Sequence, residues 1–401
     1  MKIEQQHSAN TVQIIVLGLA QVLLWGGSYF LLSVISGKVM AETGYSYQMV
    51  FGCLSVALLI SGLLLPRIGR MINTTTHNFA LLYAGVVMAL GLVIVGLSMN
   101  FVMFLLGWAI IGVGMGMGLY DALFATLGKQ YGDKARRSIV LVTLIASLTP
   151  SIAWWMSNQL LVHFGWRNTC FIFAGILAIS IYPAHKWVFR YQHHTSSNNA
   201  TTREVVPTDL FQSKIYYLLL TSFTIGALMT TAIIVHLIDI VSTKKIDMQQ
   251  VLFIVAFLGP SQSAARMFEL FLPKMSAIEI AIISSCSMLL GVILIFFTPG
   301  ITLLGVILFG VGNGMRSVLR GTLPLAIFGK SHYALIIGKL ARMPLILQAC
   351  APFIGGFLMQ QFGVHIFLSI LAGLGLVNIL ITFFIKQTMQ LAPVKTPSKV
   401  S

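Results

Sequence analysis

The sequence predicts an all-α membrane protein of twelve transmembrane helices, arranged as two pseudo-symmetric six-helix bundles. Three observations carry that prediction. First, of 401 residues 57% are hydrophobic and only 9% charged, with a mean hydropathy of +0.91, where an ordinary soluble domain carries about 25% charged residues. So few charges could not coat a water-facing surface, and lipid becomes the solvent for most side chains. Second, the apolar residues fall into stretches close to the roughly 20 residues that a helix needs to cross the hydrocarbon core. Third, short motifs recur at a constant offset of 198 residues.

Taken in order, the predicted spans are 12–36, 47–66, 78–98, 102–126, 138–162, 168–185, 215–240, 249–268, 277–297, 302–328, 336–360 and 366–385. The first follows a short polar segment, Met1 to Asn10, and is longer than the apolar core of a signal peptide, so it reads as an uncleaved span. The long polar interruption, Lys186 to Lys214, contains His193-His194-Thr195-Ser196-Ser197-Asn198-Asn199 and has the composition of a linker. It divides the chain into a bundle at 1–185, a linker at 186–214 and a second bundle at 215–401. Across that division Gly112-Val113-Gly114-Met115-Gly116-Met117 recurs as Gly310-Val311-Gly312-Asn313-Gly314-Met315. Phe164-Gly165 recurs as Phe362-Gly363, and Ala174-Gly175 as Ala372-Gly373. Six intervening spans restore the direction of the chain, so the repeat is parallel. Pro150 in span five, and Gly338, Pro344, Pro352, Gly355 and Gly356 in span eleven, are helix breakers placed where moving helices could bend.

The net charge of +15 does not indicate a nucleic-acid partner, because no basic run is interleaved with aromatics. Its distribution speaks of topology. Lys38, Arg167, Lys244 and Lys245 lie on the loops of one side, whereas both termini, the linker, Arg67 and Arg70, and Lys134, Arg136 and Arg137 lie on the other. The positive-inside rule makes the second side cytoplasmic and the membrane the inner one. Cys53, Cys170, Cys286 and Cys350 are far apart, without a CxxC pair or metal-ligand spacing. No nucleophile triad or phosphate-binding glycine loop occurs, so no cofactor, metal or enzymatic reaction is expected, and the energy for any work must come from a gradient.

Local motifs deepen the reading. After span two, Gly62-Leu63-Leu64-Leu65-Pro66-Arg67-Ile68-Gly69-Arg70 resembles the loop signature of the major facilitator superfamily, Gly-x-Leu-x-Asp-Arg-x-Gly-Arg, with Pro66 in place of the aspartate. Gly112 matches the glycine of the next signature, but Trp108 stands where its arginine is expected. Leu148-Thr149-Pro150-Ser151 departs from the antiporter signature. In the second half Gly259-Pro260-Ser261-Gln262 with Arg266 and Glu269, and Gly312-Asn313-Gly314 with Arg320 to Leu325, resemble an uncharacterised bacterial branch of the same superfamily. The resemblance covers nearly the whole chain. It implies a monomeric transporter in which spans one, four, seven and ten line a central cavity.

Charges inside spans cost at least about 2.5 kcal/mol each and are candidates for function. Asp121, late in span four, faces Arg67 and Arg70 at the end of span two, while Glu269 ends span eight and Arg320 lies late in span ten. These five read as two gate locks of opposite polarity, with a proton or substrate contact and interfacial snorkelling as alternatives for Asp121 and Arg320. Arg316, one turn before Arg320, is deep in span ten beside Asn313, and a guanidinium there would bind an anion, most simply a carboxylate. The alternative is a buried pair with Asp121. Gly310, Gly312 and Gly314 leave space for a close neighbour or a solute. Gln21, Trp25 and Tyr29 fall at i, i+4 and i+8 on one stripe of span one, either facing substrate or packing. His236 and Asp239, at i and i+3 near the outer end of span seven, could titrate as a pair or could simply be solvated.

The expected function is gradient-driven movement of a small organic anion, a mono- or polycarboxylate, by alternating access, with the proton as candidate coupling ion. Gln21, Trp25, Tyr29, Asn313 and Arg316 are the candidate substrate residues, and Arg67, Arg70, Asp121, His236, Glu269 and Arg320 the candidate gate or coupling residues. Transport of an amphipathic compound such as a drug or siderophore, favoured by 19 Met and 26 Phe able to line an adaptable pocket, and a transporter-like receptor without flux are the alternatives.

Overall fold

The computed structural model describes residues 9–74, 78–131, 135–190, 213–270, 275–328 and 333–391, and every structural statement below concerns these. The central linker proposed from composition lies largely outside them.

Helices account for nearly all of the described chain. The first span is two helices, α1 (Thr11–Gly26) and α2 (Leu31–Thr43). Asn10 caps α1 through a reciprocal pair of bonds with Gln13, 2.8 and 3.0 Å long. The break between α1 and α2 falls where two glycines weaken the helix and the Ser28 hydroxyl turns back to donate to Leu24 O at 2.6 Å. Next come α3 (Tyr47–Thr74) and α4 (Phe79–Gly96), then a broken span of α5 (Phe101–Gly118) and α6 (Tyr120–Tyr131). Residues 67–70, expected beyond the end of span two, continue α3 past Pro66, so the second span is longer than its sequence boundary. The helices α7 (Ala135–Ala146) and α8 (Thr149–Val188) complete the first half.

The second half opens with α9 (Lys214–Ser242), capped by Ser213. It continues with the pair α10 (Met248–Ala256) and α11 (Leu258–Leu270), then α12 (Ala277–Ile295), α13 (Pro299–Phe328) and α14 (Tyr333–Leu391). By length and apolar composition ten stretches could cross a membrane. Two of them, Arg137–Val188 and Lys339–Gln390, are 52 residues long, about 78 Å of helix at 1.5 Å per residue, against a hydrocarbon core of about 30 Å. Each is interrupted in its middle by a glycine in a left-handed conformation: Gly165 at φ 74°, ψ 168° and Gly363 at φ 79°, ψ 171°. These glycines are one of the pairs that the 198-residue repeat relates, and they share one backbone geometry. Only glycine adopts it without strain.

The glycine motifs of the repeat are close helix crossings. A Cβ at Gly114 would meet Met88, and one at Gly312 would meet Met288. Gly112 lies against the Ala57 backbone and Gly310 against Ser261. The space beside Gly310, Gly312 and Gly314 is therefore filled by α11 and α12, leaving no room for a solute.

Packing of the core divides the molecule by depth. Ala9, Ile72, Tyr131 and Phe189 mark one face of the bundle, termed here the terminal face, and near it two separate apolar clusters form. One is built only from the first half, between Ala9 and Phe189, and the other only from the second, between Tyr216 and Ile385. Toward the opposite, distal face a single cluster joins both halves, from Leu31, Phe51 and Trp154 to Val235, Phe309 and Phe367. The halves are fused by apolar packing at the distal end and part at the terminal end.

Candidate functional site

Where the halves part, a cavity of about 650 Å³ opens among α3, α6 and α14. Its walls are largely apolar, with Leu59, Leu63 and Leu345 among them, and Asp121 and Arg342 supply its charges. Asp121 feels the charge of Arg320 but makes no ion pair with it within 4.0 Å. Arg67, Arg70 and Arg320 are exposed. Among the described residues no ion pair joins Asp121 to Arg67, Arg70 or Arg320. The side chain of Glu269 lies outside the described residues. Among the described residues the ion pair that does form is distal: Arg167 Nε meets Glu42 Oε1 at 2.9 Å. Trp166 Nε1 donates to the same carboxylate at 2.6 Å. Arg167 also donates to Gly96 O and Ser98 O, which ties the distal ends of the first half together.

Arg316 projects from α13 onto α9. Its Nη2 donates to Thr230 Oγ1 at 3.3 Å, and its Nη1 lies 3.5 Å from Phe223 O. Thr230 in turn donates to Asn313 Oδ1 at 2.8 Å. The guanidinium nests against Gly226, where a Cβ would lie 2.8 Å from its Cδ. Its Nε is buried and has no hydrogen-bond partner. The expected alternative, a pair with Asp121, is not formed, and no described carboxylate lies within ion-pair distance of Arg316. Asn313 therefore acts through Thr230 to position the arginine.

Of the three residues read as one stripe, Gln21 is fully buried and donates to Gly118 O at 2.8 Å, which turns it onto α5. Trp25 and Tyr29 meet edge to face with centroids 5.5 Å apart, but Tyr29 stands in the break after α1, so the helical period does not carry across it. Its side chain reaches that of Thr231 on α9. Trp25 also packs against Tyr120 at 5.3 Å, and its Nε1 is buried without a partner.

Sequence reasoning did not place Arg266 in the site. It lies on α11, donates across the halves to Thr143 O at 2.8 Å, feels Tyr120 electrostatically, and keeps a buried Nε without a partner. Its position as a charge inside a predicted span was the available signal. Tyr120 and Thr230 carried no such signal, because hydroxyls and aromatics are common in apolar helices.

At the distal end, the Tyr47 hydroxyl lies 2.6 Å from Asp239 Oδ2 and 2.8 Å from His236 Nδ1. The pair expected to titrate is thus bridged by a residue from α3. His236 is wholly buried rather than solvated: its ring packs on Tyr47, Phe51 and Phe367, and its Nε2 faces α14 at Gly355. Two backbone seams flank this cluster. Ser33 Oγ donates to Val235 O at 2.7 Å, and Gln48 N donates to Gln360 Oε1 at 3.2 Å.

Ten apolar helical stretches, the paired breaks at Gly165 and Gly363 and the division into two halves parting at one face define a multi-pass membrane protein with the fold of the major facilitator transporters. The chain is similar to a bacterial homologue of the human lysosomal transporter Spinster, solved in an inward-facing and occupied conformation, with 12% identity and a TM-score of 0.73 over 95% of this chain and 97% of that one. Against the inward-facing, unoccupied form of the homologue, over the same coverage, the TM-score is 0.71. It is similar as well to the nucleoside transporter NupG, with 14% identity and a TM-score of 0.72 over 95% of this chain and 99% of that one. No known family profile and no curated protein matches the sequence. At these identities the likeness establishes the fold.

Proposed function

We propose that the protein is a secondary transporter that moves a small organic anion by alternating access, with twelve crossings in two six-helix bundles, 1–185 and 215–401. The twelve follow from counting each 52-residue stretch as two crossings hinged at its glycine, and the lysine and arginine distribution sets both termini in the cytoplasm of an inner membrane. The observation that carries the cargo class is Arg316. A half-buried guanidinium, held by Thr230 and Phe223 O, facing no described carboxylate and keeping a buried, unpartnered Nε, is poised for an incoming acceptor that bears negative charge. Arg266 and Trp25, whose unpartnered buried atoms are also donors, bias the same region toward an acceptor-rich solute. In this reading the structure is the state open at the terminal face.

The test is thermal stabilisation of the purified protein by carboxylates, amino acids, sugars and amphiphiles. Binding raises stability by about 2.7 kcal/mol at a hundredfold excess over Kd. Carboxylates should stabilise the wild type, Arg316→Lys should keep part of the effect, and Arg316→Ala should lose it. Equal stabilisation of Arg316→Ala and wild type removes Arg316 from the site.

The apolar walls of the 650 Å³ cavity favour a second reading, an amphipathic cargo entering between α3 and α14. It requires amphiphiles to stabilise wild type and Arg316→Ala alike.

A further inference from the structure

We propose that Tyr47, His236 and Asp239 form a proton-binding site that is also the distal latch between the two halves, and that loss of its proton opens the distal face. The proposal rests on the alternating-access reading above but is independent of which solute is carried.

The geometry restricts where protons can sit. Two hydrogen bonds converge on the Tyr47 oxygen, at 2.6 Å from Asp239 Oδ2 and 2.8 Å from His236 Nδ1. A hydroxyl has one proton to donate, so one of these bonds must be donated to it. Either His236 Nδ1–H donates to Tyr47, which donates to an Asp239 carboxylate, or a protonated Asp239 donates to Tyr47, which donates to His236 Nδ1. From a doubly protonated His236, moving both protons along the chain converts the first form into the second without breaking a contact; with a singly protonated His236 the first form holds one proton fewer, and the second is reached by adding a proton, which leaves the N–H of His236 at Nε2. Only the second form leaves no charge on the carboxyl.

The surroundings select that second form. The ionisable groups around the latch are committed elsewhere or face away. Just past the end of α9, Lys244 donates to Phe296 O at 2.8 Å. On α2, Glu42 is held by Arg167 and Trp166, and Lys38 is exposed. On α3, Cys53 donates to Met49 O. From α14 come Met359 Sδ, 3.9 Å from the Tyr47 hydroxyl, the backbone at Gly355, and Phe367, while His365 stacks on Phe296. For a half-buried carboxylate such as Asp239, with no described cation in reach, the charged form is disfavoured. A bound proton removes the cost, and so does opening to water.

The latch also lies where opening would break it. Tyr47 belongs to the first half and His236 and Asp239 to the second, inside the single cluster that fuses both halves. Deprotonation therefore favours parting of the distal seam, and protonation from the distal side favours its closure with the terminal face open. One proton accompanies each closure.

The experiment places a single reporter at the seam. Ser33→Cys in a background with all four native cysteines replaced by serine is reconstituted in vesicles, and its reaction with a small membrane-impermeant thiol reagent added from the distal side is followed between about pH 5 and 8. Each rate is divided by that of an exposed single-cysteine control at the same pH, because the reagent attacks the thiolate, whose population itself rises about tenfold per pH unit below a pKa of about 8.5, and all rates below are normalised in this way. Because one proton is linked to opening, wild-type labelling should still accelerate by up to about tenfold per pH unit as pH rises. Asp239→Asn, which carries no titrating proton, should label slowly and without pH dependence, and Tyr47→Phe, which loses the bridge, should label faster than wild type at low pH. Wild-type labelling independent of pH, or an Asp239→Asn profile that follows wild type, overturns the proposal. No solute is present, so failure of the anion assignment in the stabilisation screen leaves this result unaffected.

Discussion

A single methyl group at position 226 tests how finely Arg316 is placed. The Cδ of Arg316 would lie 2.8 Å from that carbon, so Gly226→Ala must push the side chain off Thr230 and Phe223 O. Loss of one charge-assisted hydrogen bond weakens binding by about ten- to a hundredfold, and anion titration should show this loss while the protein remains folded. Thr230→Val should act in the same direction by removing the hydroxyl that links Asn313 to the guanidinium. Residue-level candidates were legible where the sequence placed a charge in an apolar run, as at Arg316 and Asp121. Residues whose role depends on a partner from another helix were not. Tyr47 is an ordinary tyrosine until α3 is laid beside α9, and Gln21 shares the period of Trp25 yet turns onto Gly118.

Elements are decided by a few backbone positions. At Gly165 and Gly363 the positive φ costs an L-residue roughly 1–2 kcal/mol, although a Cβ at either position would meet nothing within 4 Å. Gly165→Ala and Gly363→Ala should each lower the melting temperature in detergent. Gly175→Ala, in the same repeat but helical and equally uncrowded, should leave it unchanged or slightly raised. Equal effects at all three would mean that the φ values carry no cost. The repeat at offset 198 announced that positions 165 and 363 correspond. It did not announce that they end helices, since Phe-Gly inside an apolar run is compatible with a continuing span. The same limit explains the break after Gly26, where Tyr29 leaves the stripe expected of a straight helix, and the continuation of α3 through Pro66.

For the whole molecule, the decisive feature is that apolar packing joins the halves at one face only. A disulfide between Gln48→Cys and Gln360→Cys, positions in contact across the distal seam, should lock that face shut and abolish solute flux in vesicles, with recovery on reduction. Undiminished flux through the cross-linked protein would show that the seam does not open during turnover. A gate is visible as a set of contacts only in the state that closes it, and among the described residues Asp121 makes no ion pair with Arg67, Arg70 or Arg320.

Sequence alone determined the apolar, helical class of the chain, the 198-residue offset of its repeated motifs and the positions of charges within apolar runs, because composition, periodicity and internal similarity are properties of the chain read along itself. Tertiary structure decided which donors stay unpartnered at Arg316, Arg266 and Trp25, that the motif glycines are helix crossings, that Tyr47 bridges His236 and Asp239, and which face stands open. Those depend on contacts between residues tens to hundreds of positions apart, and apolar helices of similar composition do not specify from sequence which of their faces will meet.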